Sequence, residues 1–398
     1  QSVCVDLVAS ARTRKDGLGP AMLSRCSLLA ALCVIAAPLA AAQDQLLDDR
    51  ELPTTQDFPP AYFERAKTAQ QAFDALSADF LAGREVAPAD LVMALAMQFD
   101  AYRWLGNKPD TQFAVYDRHR LVAKRLATKV RELAAEKKLP KETAFLLTAY
   151  QDLANVRLLE KRKGRASMEN EADYKEFSRQ LVEASRYLAG AAQYAAKSLT
   201  WAYRADGHFT LAEVLLALDL NLKADRFGDP HGIGQLTARQ HYRDALAELL
   251  PKVKAEVDEG KRTAADAQLV ELFLSCAKVP AALLPKDPEA KLAKLDDAES
   301  AAARAVDTAI AAFVAEDGVP LAYVLVALNL ERDTEEARIS LGQSPLVDES
   351  RHVAKARLLD QKVAELCKAG RRSEGLRSLA KAYRQGAELR FDSLGIRR

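Results

Sequence analysis

Three histidines occupy matching places in the chain, and two of them directly follow an arginine. His119 follows Arg118 and His352 follows Arg351, whereas His241 is displaced by one position relative to the other two. An imidazole beside a guanidinium presents several N–H donors, which suit an anion or an acidic side chain. The pattern predicts a binding position for an anionic partner at each place. The alternative is that these are ordinary solvated or packing residues at a helix start.

A second group of cations lies in the basic stretch 371–398, which includes Arg371, Arg372 and Arg384. Blocks of like charge are typical of solvated faces and of segments that dock on oppositely charged surfaces. An acidic partner or an anionic envelope surface is the expected counterpart, and a solvated helix face with a frayed terminus is the alternative. The candidate partner-binding residues are therefore Arg118, His119, His241, Arg351, His352, Arg371, Arg372 and Arg384.

Two further patterns invite a catalytic interpretation that their context does not favour. Asp219 interrupts the apolar run 211–220, and a buried carboxyl can have a raised pKa suited to acid–base chemistry. Lys223 stands four residues later, however, and this spacing predicts an ordinary surface ion pair on a helix. The segment 228–235 has the glycines of a phosphate-binding loop, but such a loop follows a strand. Its helical flanks predict a connector instead.

No catalytic, cofactor-binding or metal-binding site is predicted from these residues. Metal binding by the histidines would require carboxylate or imidazole partners three or four residues away on a helix. Asp117 is too close to His119 for that geometry, and the sequence has no His-Glu-x-x-His motif. The sequence also lacks the signatures of serine hydrolases, nucleotide-binding loops and cysteine proteases.

The elements that carry these residues are apolar helices that recur along the chain. LAEVLLALDL at 211–220 returns as LAYVLVALNL at 321–330, which is 110 residues later. LVMALAM at 91–97 aligns with the same helix 123 residues earlier, and a Lys-Val pair keeps both offsets further along. A register that is kept across a loop in three copies rarely arises by chance. It predicts three tandem repeat units at 60–160, 175–285 and 290–398, with a polar linker at 161–174.

Each unit is predicted to contain four helices, which in unit two cover about 174–204, 211–225, 237–258 and 264–278. The apolar residues of the second helix recur at intervals of three and four, which places them on one face. Thr210 and Glu213 have the spacing of a capping box at its start. The other predicted helix-end residues are the N-caps Thr263 and Ser373 and the C-terminal glycines Gly260 and Gly370.

These patterns define the fold class. A low glycine content, 17 residues in 398, together with abundant Ala, Leu, Glu, Lys and Arg, is typical of helical proteins. We expect an all-α protein in which the three four-helix units, about twelve helices, form a helical-repeat array or superhelix. The alternative is that the same helices close as six hairpins into an α/α toroid.

The N-terminal region has the features of an export signal. Residues 22–42 contain Arg25, an apolar run over 28–37 and a final Ala-Ala-Ala, which is the order found in secretory signal peptides. The run is shorter than the roughly 20 residues that span a bilayer. We expect a periplasmic or extracellular protein after cleavage near Ala42, with no transmembrane span in the mature chain. Residues 1–21 are expected to be an over-extended start, and 43–59 a polar N-terminal linker.

The charge balance argues against nucleic acid as a partner, and the few cysteines indicate free thiols. The chain has 57 Lys and Arg against 56 Asp and Glu, so its near-neutral total gives no electrostatic case for nucleic acid. Beyond residue 42 only Cys276 and Cys367 remain, and both lie within apolar helical sequence. Two free thiols are expected, although the predicted compartment permits a disulfide.

Two functions follow from this fold class. The first is an exported binding or scaffold module for another macromolecule, a protein or a cell-envelope polymer, because tandem helical units present extended grooves and need no reactive residue. The second is a secreted carbohydrate-active enzyme. The α/α toroid resembles many secreted glycosidases and polysaccharide lyases, and paired carboxylates act in such enzymes as acid and base. Sparse aromatic residues, 7% of the chain, favour the binding protein over the enzyme.

Overall fold

Twelve α-helices account for nearly all of the residues described in the computed structural model. The described residues are 59–105, 109–205, 209–228, 233–277, 288–315, 319–339 and 346–393, and they contain no strand. The helices are α1 (Pro60–Leu81), α2 (Pro88–Leu105), α3 (Pro109–Ala135), α4 (Lys141–Glu169), α5 (Glu171–Ala205), α6 (Leu211–Gly228), α7 (Ile233–Asp258), α8 (Ala264–Ala277), α9 (Pro288–Ala315), α10 (Leu321–Ile339), α11 (Leu346–Lys368) and α12 (Glu374–Ser393). The all-α prediction is thereby confirmed. The predicted signal peptide and the residues around it lie outside the described residues.

The helix starts confirm the predicted N-caps. At the start of α6, Glu213 Oε2 accepts the Thr210 N–H at 2.8 Å, and Thr210 Oγ1 accepts the Ala212 N–H at 3.3 Å. This reciprocal pair is the predicted capping box. Thr263 and Ser373 cap α8 and α12 through their hydroxyl oxygens, which accept backbone N–H groups at 3.4 Å. The first four N–H groups of every helix have no hydrogen-bond partner within the helix, so side chains that accept from them mark where the helix starts.

The helix ends repeat one turn geometry at four places. Gly260 and Gly370 follow α7 and α11 with φ of 70° and 71°, as predicted, Gly83 follows α1 with φ of 73°, and Lys137 follows α3 with φ of 58°. In each turn the next N–H bonds to the carbonyl five residues before it, at 2.8 to 3.0 Å. Lys137 lies 123 residues before Gly260, which is the offset of the sequence repeat. The left-handed conformation costs a non-glycine residue about 1 kcal/mol, which is why the sequence alone did not indicate this turn.

Each helix packs against the next one in chain order, as expected for a helical array, and in addition α12 packs against α1. The two helices run antiparallel. Gly375 in the first turn of α12 lies against Leu76 near the end of α1, and Gly386 lies against Arg65 near its start. The first and last of the described helices are therefore neighbours, as the toroid alternative predicts.

The helices α2, α6 and α10 pack against one another, and their N-terminal turns are linked by hydrogen bonds. Asp90 Oδ1 of α2 accepts the Ala322 N–H of α10 at 2.6 Å. Glu213 Oε1 of α6 accepts the Ala89 N–H of α2 at 3.2 Å. A carboxylate at a helix N-terminus satisfies an unpaired N–H and complements the helix dipole. Each of these two helices therefore caps a neighbour, and we term this region the cross-capped end.

Tyr323 holds the corresponding position in α10, and its hydroxyl donates to Asp266 of α8 at 2.7 Å. The side chains of Asp90 and Glu213 are almost completely buried. Burial raises the pKa of Asp90 to about 7, opposed by the Ala322 hydrogen bond and reinforced by the nearby Glu213. Burial also raises the pKa of Glu213. Ionised carboxylates are therefore costly at the cross-capped end, even with their hydrogen bonds formed.

Two stretches differ from the sequence-based expectations. The segment 161–174, expected as a polar linker, is helical apart from Asn170, because α4 and α5 extend into it from both sides. Glu, Lys, Arg and Ala dominate this segment, and these are good helix formers whether or not a core lies beneath them. The basic stretch is helical from Glu374 to Ser393 (α12), and the apolar face of this helix packs on α1, which was not predicted from the sequence; residues 394–398 lie outside the described residues.

None of the described helices is long and apolar enough to cross a membrane.

Candidate ligand-binding cavity

A cavity of about 1000 Å³ is lined by α2, α6 and α10 from their second turns onward, and by the helices around them. Its wall is both charged and aromatic. The cations are Arg65, Arg103, Arg157, Lys223, Arg332 and Arg390, and the carboxylates are Asp100, Glu160, Asp219 and Asp333. The aromatic residues are Phe99, Trp104, Tyr116, Tyr150, Phe227, Tyr242, Phe273 and Tyr383. Pockets that combine an apolar wall with a few convergent polar groups are the usual form of ligand sites.

One register of the sequence repeat faces this cavity in all three central helices. Ala96, Asp219 and Asn329 hold equivalent positions and all line it. Lys223 Nζ lies 2.5 Å from Asp219 Oδ2, which confirms the predicted ion pair. The pair lies on the cavity wall, however, and not on an outer surface as the sequence suggested. Helical spacing predicts which side chains meet, but not which side of the helix faces a cavity.

An ion-pair cluster joins α1 to the cavity wall. Arg65 is buried and its Nη2 lies 2.5 Å from Asp100 Oδ2, while Arg103 Nη2 lies 2.9 Å from the other carboxylate oxygen. Burial would raise the pKa of Asp100, but the two arginines outweigh it and lower that pKa. Asp100 therefore remains ionised and is suited to holding cations in place, not to donating a proton.

Positive charge accumulates beside this cluster, where α12 meets α10. Burial lowers the pKa of Arg390, and the neighbouring Arg332 lowers it further, with only partial compensation from Asp100. Gly386 lines the cavity one turn before Arg390, and its missing side chain makes room for the Arg65 guanidinium. Arg65, Arg103 and Arg390 thus all lie near Asp100 at this corner, and Arg332 next to Arg390 pairs with Asp333 at 3.8 Å. Such an arrangement favours a carboxylate or phosphate ligand, which would relieve the mutual repulsion.

His352 belongs to a satisfied polar network on the cavity wall. Its Nδ1 lies 3.4 Å from Glu331 Oε2, and its Nε2 lies 3.4 Å from the Tyr383 hydroxyl oxygen. Lys355 Nζ donates to the other oxygen of Glu331 at 2.8 Å. Burial would raise the pKa of Glu331, but the hydrogen bonds from His352 and Lys355 lower it. This network holds a buried carboxylate in its charged form.

His119, at the equivalent position in α3, has different surroundings. Its ring stacks on Phe99 with centroids 4.3 Å apart and meets the edge of Tyr150 at 5.7 Å. The side chain is buried, and neither ring nitrogen has a hydrogen-bond partner among the described residues. Burial, followed by the charge of Arg157, lowers the pKa of His119 well below its usual value. The imidazole is therefore neutral and acts as an aromatic packing residue.

The third histidine does not share this position. His241 is exposed on α7, whereas its neighbour Tyr242 lines the cavity. Tyr242 is the residue at offsets of 123 and 110 from His119 and His352. One residue along a helix rotates a side chain by about 100°, so a displacement of one position moves it to a different face. All three histidines lie within helices and not at their starts, because α3, α7 and α11 begin several residues earlier than expected.

The other predicted partner-binding residues have structural contacts that lie apart from the cavity. The Arg118 guanidinium lies over the Tyr102 ring at 5.1 Å, and Arg351 Nη1 pairs with Glu299 at 2.8 Å. Arg384 Nε lies 2.8 Å from Asp360. The remaining two bond backbone carbonyls at the end of α9: Arg371 that of Val314, and Arg372 that of Phe313. Of the eight predicted residues, only His352 lines the cavity.

Within the described residues, no group of three or more His, Cys, Asp or Glu side chains could hold a metal ion. Cys276 and Cys367 are free thiols, as expected, and burial raises the pKa of Cys276 to about 12. Cys276 lines the cavity, but a thiol with this pKa is a poor nucleophile at neutral pH. No protein-family model matches the chain, and no curated protein or solved structure is significantly similar to it.

Proposed function

We propose that the protein is an exported binding protein whose cavity holds an anionic group of its ligand. The observation that carries this proposal is the corner where Arg65, Arg103 and Arg390 gather around Asp100, with Arg332 close enough to Arg390 to lower its pKa. A partly buried cation that is repelled by its neighbours is stabilised by an added anion.

The remaining wall supports a ligand with an apolar or ring-shaped body. Eight aromatic side chains line the cavity, although aromatic residues make up only 7% of the chain. Rings of this kind stack on flat ligand groups, and their hydroxyl and indole N–H groups provide hydrogen bonds. A carboxylated or phosphorylated end of a protein or cell-envelope polymer has this chemistry, so the macromolecular partner expected from the sequence remains part of the proposal.

The fluorescent aromatic anion 8-anilinonaphthalene-1-sulfonate is a suitable probe for this site. We expect saturable binding to residues 43–398, weakened about tenfold by Arg390→Gln, which corresponds to about 1.4 kcal/mol. Arg377→Gln is the matched control, because Arg377 is exposed on the same helix and pairs with Glu374. Equal affinities of wild type and Arg390→Gln, or an equal loss in Arg377→Gln, would contradict the proposal.

A second function, a carbohydrate-active enzyme, is favoured by a different observation. Asp219 and Asp333 come from different central helices and line the same aromatic cavity. Two carboxylates across a sugar-sized cleft are the minimum that glycoside hydrolysis requires. Release of reducing ends from a panel of polysaccharides tests this function. Activity that is lost in Asp219→Asn or Asp333→Asn but kept in Asp297→Asn, an exposed position of α9, would establish the enzyme.

A further inference from the structure

The six cations of the cavity wall differ in whether they have a carboxylate partner. Four of them have a carboxylate oxygen at 2.5 to 3.8 Å: Arg65 and Arg103 pair with Asp100, Lys223 with Asp219, and Arg332 with Asp333. Within the part of the chain that the structure describes, no such ion pair includes Arg157 or Arg390, although both line the cavity. The wall therefore has two cations whose charge is not neutralised by a direct partner.

These two arginines hold equivalent places in the sequence repeat. Arg157 and Arg390 are 233 residues apart, which is also the separation of Tyr150 from Tyr383. Each arginine follows its tyrosine by seven residues, on α4 and on α12 respectively. Seven residues make almost two helical turns, so each tyrosine and arginine lie on the same face of their helix. Both pairs line the cavity, which thus has two related cationic positions.

Both arginines lie near α2, against which α4 and α12 pack. The Arg157 guanidinium lies over the Phe99 ring at 5.4 Å, and the charge of Arg390 is partly compensated by Asp100, the next residue of α2. Glu160, three residues after Arg157, is exposed and forms no ion pair with it. The two guanidinium groups are half-buried and have N–H donors that suit a carboxylate or phosphate of a ligand.

The Tyr150 hydroxyl provides a further donor near Arg157. Tyr150 is buried on the cavity wall, and its hydroxyl oxygen has no hydrogen-bond partner among the described residues. Burial raises the pKa of Tyr150 to about 12, opposed by the nearby Arg157. The Tyr383 hydroxyl, in contrast, donates to Asn329 Oδ1 at 3.4 Å, and Ala96 holds the place of Asn329 in the first copy. A buried hydroxyl without a partner is costly, and a ligand oxygen at Arg157 would satisfy it.

We propose that the cavity ligand carries two acidic groups, one bound by Arg390 and the other by Arg157 together with the Tyr150 hydroxyl. This inference rests on the proposed function and specifies its ligand as a diacid with an apolar or aromatic body. The charges of the wall agree with it, since six cations and four carboxylates leave an excess of two positive charges. Both arginines line one cavity of about 1000 Å³, so a single ligand can contact both.

Titration calorimetry on residues 43–398 tests this assignment with acids that differ in one terminal group. Octanedioate, decanedioate and dodecanedioate have a carboxylate at both ends, whereas octanoate, decanoate and dodecanoate have only one. Three lengths are compared because the span between the two arginines selects the best one. We expect at least one dicarboxylate to bind at least fivefold more tightly than the monocarboxylate of the same length. Without a second cationic position the order would be reversed, because a carboxylate is costlier than a methyl group to bury.

Variants assign the second carboxylate to its partners. Arg157→Gln should weaken dicarboxylate binding about tenfold and leave monocarboxylate binding within about twofold, whereas Arg390→Gln should weaken both. Tyr150→Phe should weaken dicarboxylate binding about threefold without lowering the thermal unfolding temperature, since it removes a hydroxyl that has no partner in the described fold. Arg165→Gln is the matched control, because Arg165 is an exposed residue of α4 that pairs with Asp110 at 2.6 Å and does not line the cavity.

Three outcomes would overturn the second acid-binding position. These are no advantage of a dicarboxylate at any length, an advantage that is kept in Arg157→Gln, or an equal loss in Arg165→Gln. The proposed function would survive each of them if Arg390→Gln still weakened monocarboxylate binding, and monocarboxylate binding that is unchanged in Arg390→Gln would contradict the proposed function itself. If thermal unfolding shows that Arg157→Gln does not fold, Tyr150→Phe and the comparison of the acids in wild type decide.

Discussion

The two ends of the central helices α2, α6 and α10 treat charge in opposite ways. At the cross-capped end, Asp90 and Glu213 are buried, and both accept backbone N–H groups from a neighbouring helix. At the cavity end, Arg332 and Arg390 are partly buried and repel each other. Charges of the first kind accept hydrogen bonds from the backbone of a neighbouring helix, whereas charges of the second kind lie close to other charges of the same sign. The difference separates the residues that hold the helices together from those that face the proposed binding site.

The largest predicted effect tests the cross-capped end through pH. The folded-state pKa of Asp90, about 7, lies above its ordinary value of 3.8. The contribution of this group to stability is therefore present below about pH 4 and is lost as the pH rises to 7. Asp90→Asn keeps an oxygen for the Ala322 N–H but carries no charge. We expect this variant to be more stable than wild type by up to about 4 kcal/mol at pH 8, with the difference vanishing near pH 4.

Urea unfolding across this pH range measures the difference. Asp297→Asn, an exposed carboxylate in α9, serves as the control and should change the free energy of unfolding by less than about 0.5 kcal/mol. A stability difference for Asp90→Asn that is the same at every pH would show that folding does not shift the pKa of the Asp90 carboxyl. The contrast between the two ends would then lose its electrostatic basis.

The next largest expected effect concerns Gly386, a position of the cavity wall at which α12 packs closely on α1. A Cβ atom on Gly386 would lie 2.6 Å from Arg65 Nη2. Gly386→Ala should therefore displace Arg65 from Asp100 and destabilise the protein by about 1–3 kcal/mol. Gly164→Ala is the matched control, because Gly164 is helical and has open space around it. That substitution should stabilise the protein by up to about 1 kcal/mol. Equal changes in the free energy of unfolding for the two variants would contradict the close packing of Arg65 against Gly386.

The smallest expected changes in stability at pH 8 are those caused by substituting the two buried histidines. His352→Phe removes a partner of Glu331 and should cost about 1–2 kcal/mol. His119→Phe removes no hydrogen bond and should change stability at pH 8 by less than about 1 kcal/mol, because both ring nitrogens are unpartnered.

The stabilities of His119→Phe and His352→Phe are expected to differ further at acidic pH. The folded-state pKa of His119 is depressed, so its contribution to stability is present above pH 6.5 and is lost as the pH falls. The stability of His119→Phe relative to wild type should therefore rise as the pH falls from 8 to 5. Thermal unfolding at pH 5 and 8 provides the comparison. Equal costs of the two substitutions at pH 8 would mean that both histidines have the same role.

Local patterns predicted the helices and their ends, because capping depends on a few residues close in sequence. Thr210, Glu213 and Gly260 are examples that the structure confirms. The second role of Glu213, as a cap for α2, depends on a residue 124 positions away and has no local signal. The sequence correctly predicted that Asp219 pairs with Lys223, because this pairing depends on residues close in sequence. It wrongly placed the pair on the outer surface, because the position of the cavity depends on distant helices. The repeat register contained a usable signal, since its equivalents Ala96 and Asn329 also line the cavity.

The packing of α12 on α1 has a consequence for how the chain is made. The buried face of α1 includes Phe73 and Leu76, and the helix that covers it is the last of the described helices. During synthesis, α1 is made before the other described helices, and its partner α12 is made after them. Contacts between residues so far apart form late and slow the final folding step. The hydrophobic face of α1 would therefore need the protection of a chaperone for longer than the faces of helices whose partners follow directly in the chain.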